Sequence, residues 1–90
     1  MLKVHRDTIR KNFVSLVREV PCEDVLPSLF EDGILSHDMV SEILEKPASE
    51  RNCFLLLLLQ RRGPKAFCSF VKALKHANRK DLANHLISFQ

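Results

Sequence analysis

Cysteine and histidine are the residue types of this sequence that could serve as nucleophile, base or metal ligand. They are Cys22, Cys53, Cys68, His5, His37, His76 and His85. A catalytic site needs a nucleophile, a base and a group that orients the base. A zinc site needs close ligand pairs such as C-x-x-C or H-x-x-x-H. The cysteines lie 31 and 15 positions apart, and the last two histidines lie nine apart. The sequence therefore predicts no catalytic, cofactor-binding or metal site.

The stretch FLLLLLQRRGPKAF, residues 54–67, begins with six apolar residues in a row. A membrane-spanning helix needs about 20 such residues, and arginines flank this run on both sides. The N-terminal sequence MLKVHRDTIRKNF is too charged for the apolar centre of a signal peptide. We therefore expect a soluble protein of the cytoplasm, in which an odd count of three cysteines indicates free thiols.

Apolar residues recur with the spacing of an amphipathic helix in six segments of the chain. In the first segment Ile9, Phe13 and Leu16 lie on one stripe, and in the second Pro27 predicts a short or irregular helix. No segment alternates with the two-residue period of a strand. Leucine is a strong helix former, so the run Phe54–Leu59 is also interpreted as helix. The sequence predicts an all-α fold, a six-helix antiparallel bundle that forms one domain over residues 1–90.

The leucine run is apolar on nearly all sides, which predicts that its helix is enclosed by the others as the central element. The second and third stripes place Phe30 and Leu44 among the residues that face inward. The expected core contains large apolar residues from every helix. These are Phe13, Leu16, Leu29, Ile43, Leu56, Leu59, Phe67, Phe70, Leu74 and Leu86.

The ends of the helices are marked by small polar residues and by glycine. Ser36, Ser49 and Asn78 are of the types that cap helix N-termini, and Gly33 and Gly63 are of the type that ends helices. We expect the three polar residues to begin the third, fourth and sixth helices.

Charge is sorted along the chain into three blocks, although the net charge is only +3. Residues 1–18 carry +4, residues 19–50 carry −8 and residues 51–90 carry +7. This sorting indicates a domain with a negative and a positive face, and such a body can dock head to tail with its partner or with itself. A solvated surface without a partner is an alternative. A second alternative is a nucleic-acid-binding surface formed by Lys72, Lys75, Arg79 and Lys80, which the acidic middle block would oppose.

The segment RRGPKAFCSFVKALKHANRKDLANHL resembles the fifth and sixth helices of caspase recruitment domains (CARDs), which are death-fold modules. HRDTIRKNFVSLVREV resembles the first helix of initiator-caspase prodomains, and FEDGILSHDMVSEI resembles the junction between helices two and three. The order and spacing of these motifs cover almost the whole chain. The resemblance implies a single Greek-key CARD of six helices without catalytic activity. The chain contains no Q-A-C-x-G motif, so a caspase protease domain would lie outside these residues.

The resemblance implies association with another CARD, in which a basic patch on helices one and four meets an acidic patch on helices two and three. It further implies that an initiator caspase is gathered on an adaptor or apoptosome-like platform and activated by proximity in apoptosis signalling. An adaptor CARD that recruits the caspase is the alternative, since this chain carries both kinds of patch. Membranes and nucleic acid are not expected partners. The resemblance also implies that copies of this chain can associate with one another, with the acidic patch of one copy against the basic patch of the next.

Residues carried over from the family belong to two groups. The basic patch is Arg6, Arg10, Lys11 and Arg51, with a possible shift toward Arg61, Arg62 and Lys65. The acidic patch is Glu23, Asp24, Asp32, Asp38 and Glu42. Some caspase CARDs have an arginine where Phe13 stands here, and this departure predicts a smaller or shifted positive patch.

Overall fold

The computed structural model describes residues 1–88, and every regular element in that range is an α-helix. The helices are α1 Lys3–Lys11, α2 Phe13–Glu19, α3 Cys22–Glu31, α4 His37–Glu45, α5 Ala48–Leu59, α6 Ala66–His76 and α7 Lys80–Ser88. The all-α prediction is confirmed. None of the helices between residues 1 and 88 combines the length and the apolar character that crossing a bilayer requires.

The first predicted helix is divided in two at Asn12, which gives seven helices in the described range where six were expected. The Asn12 side chain is buried, and its Nδ2 donates to the carbonyl oxygen of Thr8 at 2.8 Å. Its Oδ1 lies 2.9 Å from Nε2 of His85 on α7. The side-chain bond competes with the regular backbone pattern, so the helix is interrupted here while Ile9 and Leu16 both remain in the core.

Ser36 caps α4 as predicted, because its Oγ accepts a hydrogen bond from the backbone N–H of Met39 at 3.2 Å. The prediction for Ser49 is wrong, since α5 begins at Ala48 after Pro47. Pro47 fits this place because a helix start requires no backbone donor there.

Asn78 ends α6 and does not begin the next helix as its N-cap. Its φ of 62° lies in the left-handed region, and the following N–H, of Arg79, donates to the carbonyl oxygen of Leu74 at 2.8 Å. Gly33 has a φ of 74° and ends α3 in the same way, with Ile34 N–H bonded to the Leu29 carbonyl oxygen at 3.0 Å. Both turns are of the kind that satisfies the last carbonyls of a helix.

The core draws on all seven helices and is most continuous along α6, where seven of 11 residues are buried. All predicted core residues are buried except Phe13, which is half-buried against the core. The prediction that the leucine run is enclosed on all sides is wrong. Leu55, Leu56 and Leu59 are buried, but the side of α5 that carries Leu57 faces solvent, and this residue is 54% exposed.

Hydrogen bonds from side chains to carbonyl oxygens join segments that are distant in sequence. Asn52 Nδ2 on α5 donates to the carbonyl oxygens of Val17 and Val20 at 2.9 and 2.8 Å. Arg79 Nη1 donates to the carbonyl oxygen of Glu19 at 2.8 Å. These bonds satisfy carbonyls at the C-terminus of α2, which have no partner within the helix.

The ion pair between Arg79 and Asp81 predicts a loss of stability in acid. Arg79 Nε and Nη2 donate to the Asp81 carboxylate at 3.0 and 2.9 Å, and these bonds lower the pKa of Asp81 from 3.8 to about 2. A lowered pKa contributes stability that is complete above the ordinary value and is lost as the pH falls toward the lowered one. We expect the urea midpoint of unfolding to fall between pH 3.8 and about 2, and to fall less steeply in Asp81→Asn. Equal slopes in the two proteins would contradict this assignment.

Candidate interaction faces

An acidic face is formed by Glu23 and Asp24 in the first turn of α3 and by Asp38 and Glu42 on α4. All four side chains are exposed, and Asp38 is fully so. Carboxylates in the first turn of a helix also interact favourably with its N-terminus, so part of this charge stabilises the helices. The remaining exposure leaves the face open to a positively charged partner.

Asp32, which was assigned to the same patch, is held within the domain. Its carboxylate accepts hydrogen bonds from Lys72 Nζ at 2.9 Å and from Ser69 Oγ at 2.7 Å. The hydrogen bonds of Lys72 and Ser69 lower the pKa of Asp32. Asp32 therefore joins the end of α3 to α6 and contributes less free charge to the acidic face than Asp24, Asp38 and Glu42.

A basic face is formed by Arg6, Arg10 and Lys11 on α1, together with Arg18 on α2. Arg10 is largely exposed and lies 3.8 Å from Asp7, and Arg6 Nη1 donates to the carbonyl oxygen of Met1 at 3.0 Å. Lys11 is exposed. Arg18 was not assigned to the basic patch from the sequence. The division of the first helix at Asn12 sets the orientation of Arg18, and the spacing of the apolar residues does not reveal that division.

Arg10, Lys11 and Arg18 line a shallow cleft of about 490 Å³ together with Phe13 and Val14. Val14 is 68% exposed. The basic face therefore has an apolar centre, at the place where the family resemblance implies a further arginine.

Arg51 is bound within the domain and is not a free member of the basic face. Its Nη1 donates to Glu23 Oε1 at 2.8 Å, and its Nε and Nη2 donate to the carbonyl oxygens of Lys46 and Leu44 at 2.9 Å each. The side chain is 23% exposed. The structure thus brings a predicted basic residue and a predicted acidic residue, 28 positions apart, into one ion pair. This pair fixes the end of α4 against α3 and α5.

Arg61 and Arg62 follow α5 and differ in exposure. Arg61 is exposed, whereas Arg62 is half-buried and its Nε donates to the carbonyl oxygen of Ile34 at 2.9 Å. Lys65 is also exposed. Arg61 and Lys65 are thus exposed cations between α5 and α6, outside the helices that carry the basic face.

Two of the four basic residues that were considered for nucleic-acid binding form ion pairs within the domain. Lys72 is paired with Asp32, and Arg79 is paired with Glu19 at 3.0 Å and with Asp81. Within the described residues, Lys75 and Lys80 are exposed and have no ion-pair partner. Two lysines without an ion-pair partner form only a small surface for binding a phosphate backbone.

An apolar groove of about 430 Å³ runs between α3 and α4 beside the acidic face. Its lining consists of Leu26, Pro27, Phe30, Val40 and Leu44, with Glu23 and His37 at its rim. Phe30 is 48% and Leu44 42% exposed, so the prediction that both face inward is wrong. Each lies on the edge of an apolar stripe that is wider than the core can cover, which the spacing alone does not reveal.

The cysteines and histidines do not form a site. Cys22 and Cys53 are half-buried and Cys68 is exposed, all as free thiols, and burial raises the pKa of the Cys22 thiol. The His5 ring stacks on Phe67 with 4.2 Å between centroids. No group of three histidine, cysteine or acidic side chains suited to a metal ion occurs in residues 1–88.

Comparison with known proteins agrees with the sequence motifs and with the helical fold. The sequence model of the caspase recruitment domain matches residues 6–88. Caspase-2 of Gallus gallus is 33% identical to this chain over 88 residues. The matched region covers 97% of this chain and 21% of the caspase-2 sequence, so the chain spans about a fifth of the length of that curated relative.

Proposed function

This chain belongs to the caspase recruitment domain family, and from that premise we propose that it is the prodomain of an initiator caspase. The domain is a protein-interaction module in caspase signalling and has no catalytic activity of its own. The recruited protease would be carried by the same polypeptide beyond these residues. We place its action in the cytoplasm, where an adaptor or apoptosome-like platform gathers caspase molecules and activates them by proximity in apoptosis.

The observation that carries this proposal is the exposure of two oppositely charged faces on different helices. The acidic face lies on α3 and α4, and the basic face lies on α1 and α2. Complementary charge increases the rate of encounter and fixes the register of two partners. Because the similar protein is a caspase, we favour the arrangement in which a platform CARD presents acidic residues to Arg10, Lys11 and Arg18 of this chain.

An adaptor that recruits a caspase is the second candidate, and the exposed acidic face supports it. In that case Asp24, Asp38 and Glu42 would meet the basic face of a caspase CARD. The same pair of faces would also allow copies of this chain to associate with one another. The direction of recruitment can be determined by reversing the charge of one face at a time.

We expect Arg10→Glu with Lys11→Glu to weaken binding to a platform CARD by about tenfold or more, since like charges then oppose each other. Asp24→Lys with Asp38→Lys should leave that binding nearly unchanged if the chain is the recruited caspase. Pull-down and light scattering with candidate adaptor CARDs at low and high salt measure this, because the attraction between exposed charges is screened by salt.

The matched control is Lys75→Glu with Lys80→Glu, which reverses two exposed lysines on α6 and α7 that were assigned to neither face. Circular dichroism confirms that each variant is folded. Loss of binding only in the acidic-face variant would identify the chain as the adaptor. Unchanged binding in both face variants would contradict the charge-based mechanism, and binding to phosphate-bearing nucleic acid that survives reversal of the acidic face would support the nucleic-acid alternative.

A further inference from the structure

We infer that Ser15 is a phosphorylation site for a protein kinase that selects serines beside basic residues, and that phosphorylation weakens binding through the basic face. The inference rests on the proposed function, because it concerns regulation of the same face. The reaction transfers the γ-phosphoryl group of ATP to the Ser15 hydroxyl. A bond forms between Ser15 Oγ and the γ-phosphorus, and the bond from that phosphorus to the oxygen bridging the β- and γ-phosphates breaks. ADP leaves, and the hydroxyl proton passes to the base of the kinase.

The Ser15 hydroxyl is accessible on the surface of the domain. Ser15 lies on α2 and is exposed, and its hydroxyl makes no hydrogen bond within residues 1–88. By comparison, the hydroxyls of Ser36, Ser69 and Ser88 each take part in a hydrogen bond. Modification of Ser15 therefore breaks no hydrogen bond of its side chain.

Three basic residues surround Ser15 and can hold a phosphate group. Ser15 lines the cleft of about 490 Å³ together with Arg10 and Lys11 at the end of α1 and Arg18 on α2. Arg18 follows Ser15 by three positions, so the two share a side of the helix. In the described range Lys11 and Arg18 form no ion pair. Since arginine and lysine form charge-assisted hydrogen bonds with phosphate oxygens, the cleft suits a phosphorylated serine.

Two carboxylates lie beside these basic residues, and each is paired with an arginine. Glu19, which also lines the cleft, accepts a hydrogen bond from Arg79 at 3.0 Å, and Asp7 lies 3.8 Å from Arg10. A phosphoserine carries a charge of about −1.5 to −2 at neutral pH. This charge offsets half or more of the charge of the three basic residues. Phosphorylation should therefore reduce the attraction between the basic face and an acidic partner.

The sequence around Ser15 fits a kinase with an acidic substrate groove. Two bases precede Ser15 by five and four positions and one follows it by three, in the segment RKNFVSLVR, residues 10–18. Protein kinases discriminate between substrates by such charge patterns. Ser49 is exposed as well, but Glu50 follows it directly. A kinase of this class should therefore select Ser15 over Ser49.

Access for the kinase requires the first turn of α2 to open, because kinases bind their substrate segment in an extended form. The helix has seven residues, of which only Leu16 is buried, and it is separated from α1 at Asn12. A short helix with few buried side chains opens at low cost. The hydrogen bonds from Asn52 hold the other end of α2, at the carbonyl oxygens of Val17 and Val20. The segment around Ser15 can therefore open while that end remains attached.

The first test is whether the folded domain is modified at Ser15. The domain is incubated with ATP and protein kinase C, which selects serines flanked by basic residues, and mass spectrometry locates the phosphate. We expect modification of Ser15 to be about tenfold or more faster than that of Ser49, and Ser15→Ala to abolish this product. A peptide of residues 8–20 is the control for recognition of the sequence. Modification of the peptide alone, or of neither substrate, would overturn the inference.

The second test measures the effect of the phosphate on binding. Phosphoserine is incorporated during expression at position 15 or, as the matched control, at position 49. We expect the first protein to bind the platform CARD about tenfold or more weakly than the wild type, and the second to bind as the wild type does. Treatment with a phosphatase should restore binding of the first protein, which would not happen if the protein were misfolded.

The outcomes separate this inference from the proposed function. If phosphorylation at Ser15 leaves binding unchanged while Arg10→Glu with Lys11→Glu weakens it, the basic face still mediates binding and its regulation at Ser15 is overturned. If the charge reversal leaves binding unchanged too, the charge-based mechanism of the proposed function fails, and regulation of the basic face fails with it.

Discussion

Replacement of Leu56 with alanine is expected to lower the free energy of unfolding by about 2–5 kcal/mol. Leu56 is fully buried in the core and lies on α5 between Leu55 and Leu59, which are also buried. The loss combines the transfer free energy of the removed methyl groups with the cost of the cavity that remains. A domain of this size is only marginally stable. The loss should therefore clearly lower the urea midpoint of unfolding, measured by circular dichroism.

The matched control is Leu57→Ala, one position further along the same helix. Because Leu57 is 54% exposed, its truncation creates no cavity and should lower stability by less than about 1 kcal/mol. Similar losses in the two variants would contradict the orientation of α5. A Leu56→Ala protein as stable as the wild type would contradict the packing of the core.

Replacement of Asn52 with alanine is expected to lower the free energy of unfolding by about 1–3 kcal/mol. Asn52 Nδ2 is the donor to the carbonyl oxygens of Val17 and Val20, at the C-terminal end of α2. Removal of the donor leaves partly buried carbonyl oxygens without a hydrogen-bond partner, which costs more free energy than replacing both partners with apolar groups. Asn52→Asp should cost at least as much, because it sets a carboxylate oxygen against two carbonyl oxygens at unchanged size.

Gln60→Ala provides the matched control for Asn52→Ala. Gln60 is also an amide near the same helix, but its Nε2 donates only to the carbonyl oxygen of Leu56, one turn away. Its removal should therefore have little effect on urea unfolding. If Asn52→Ala is as mild as Gln60→Ala, the bond from α5 to α2 does not contribute to the stability of the fold.

The sequence was sufficient for the helical class and for most of the core, because apolar spacing records which side of a helix is buried. It did not reveal the interruption at Asn12, since Ile9 and Leu16 keep the helical period on both sides of it. The turn at Asn78 was misassigned for a related reason. Asparagine suits both an N-cap and a left-handed turn at a helix end, and only the backbone conformation distinguishes the two.

The candidate faces were less accessible from the sequence than the fold was. Arg51 and Asp32 have the charges expected of interface residues, yet they bond to groups 28 and 37 or more positions away within the domain. The spacing of neighbouring residues along the sequence does not reveal ion pairs between residues so far apart. The groove was missed because Phe30 and Leu44 extend apolar stripes whose edges reach solvent. These are properties of how the helices pack together, and no single helix shows them.

The helices of this domain are short, and the longest, α5, has 12 residues. Isolated helices below about 12–15 residues are marginal in water. Each face is built from two such helices, with nine and seven residues in α1 and α2 and ten and nine in α3 and α4. A synthetic peptide cut from either face would therefore be mostly unstructured and is not expected to compete with the intact domain. An inhibitor of binding at either candidate face would therefore have to reproduce the whole fold of the domain.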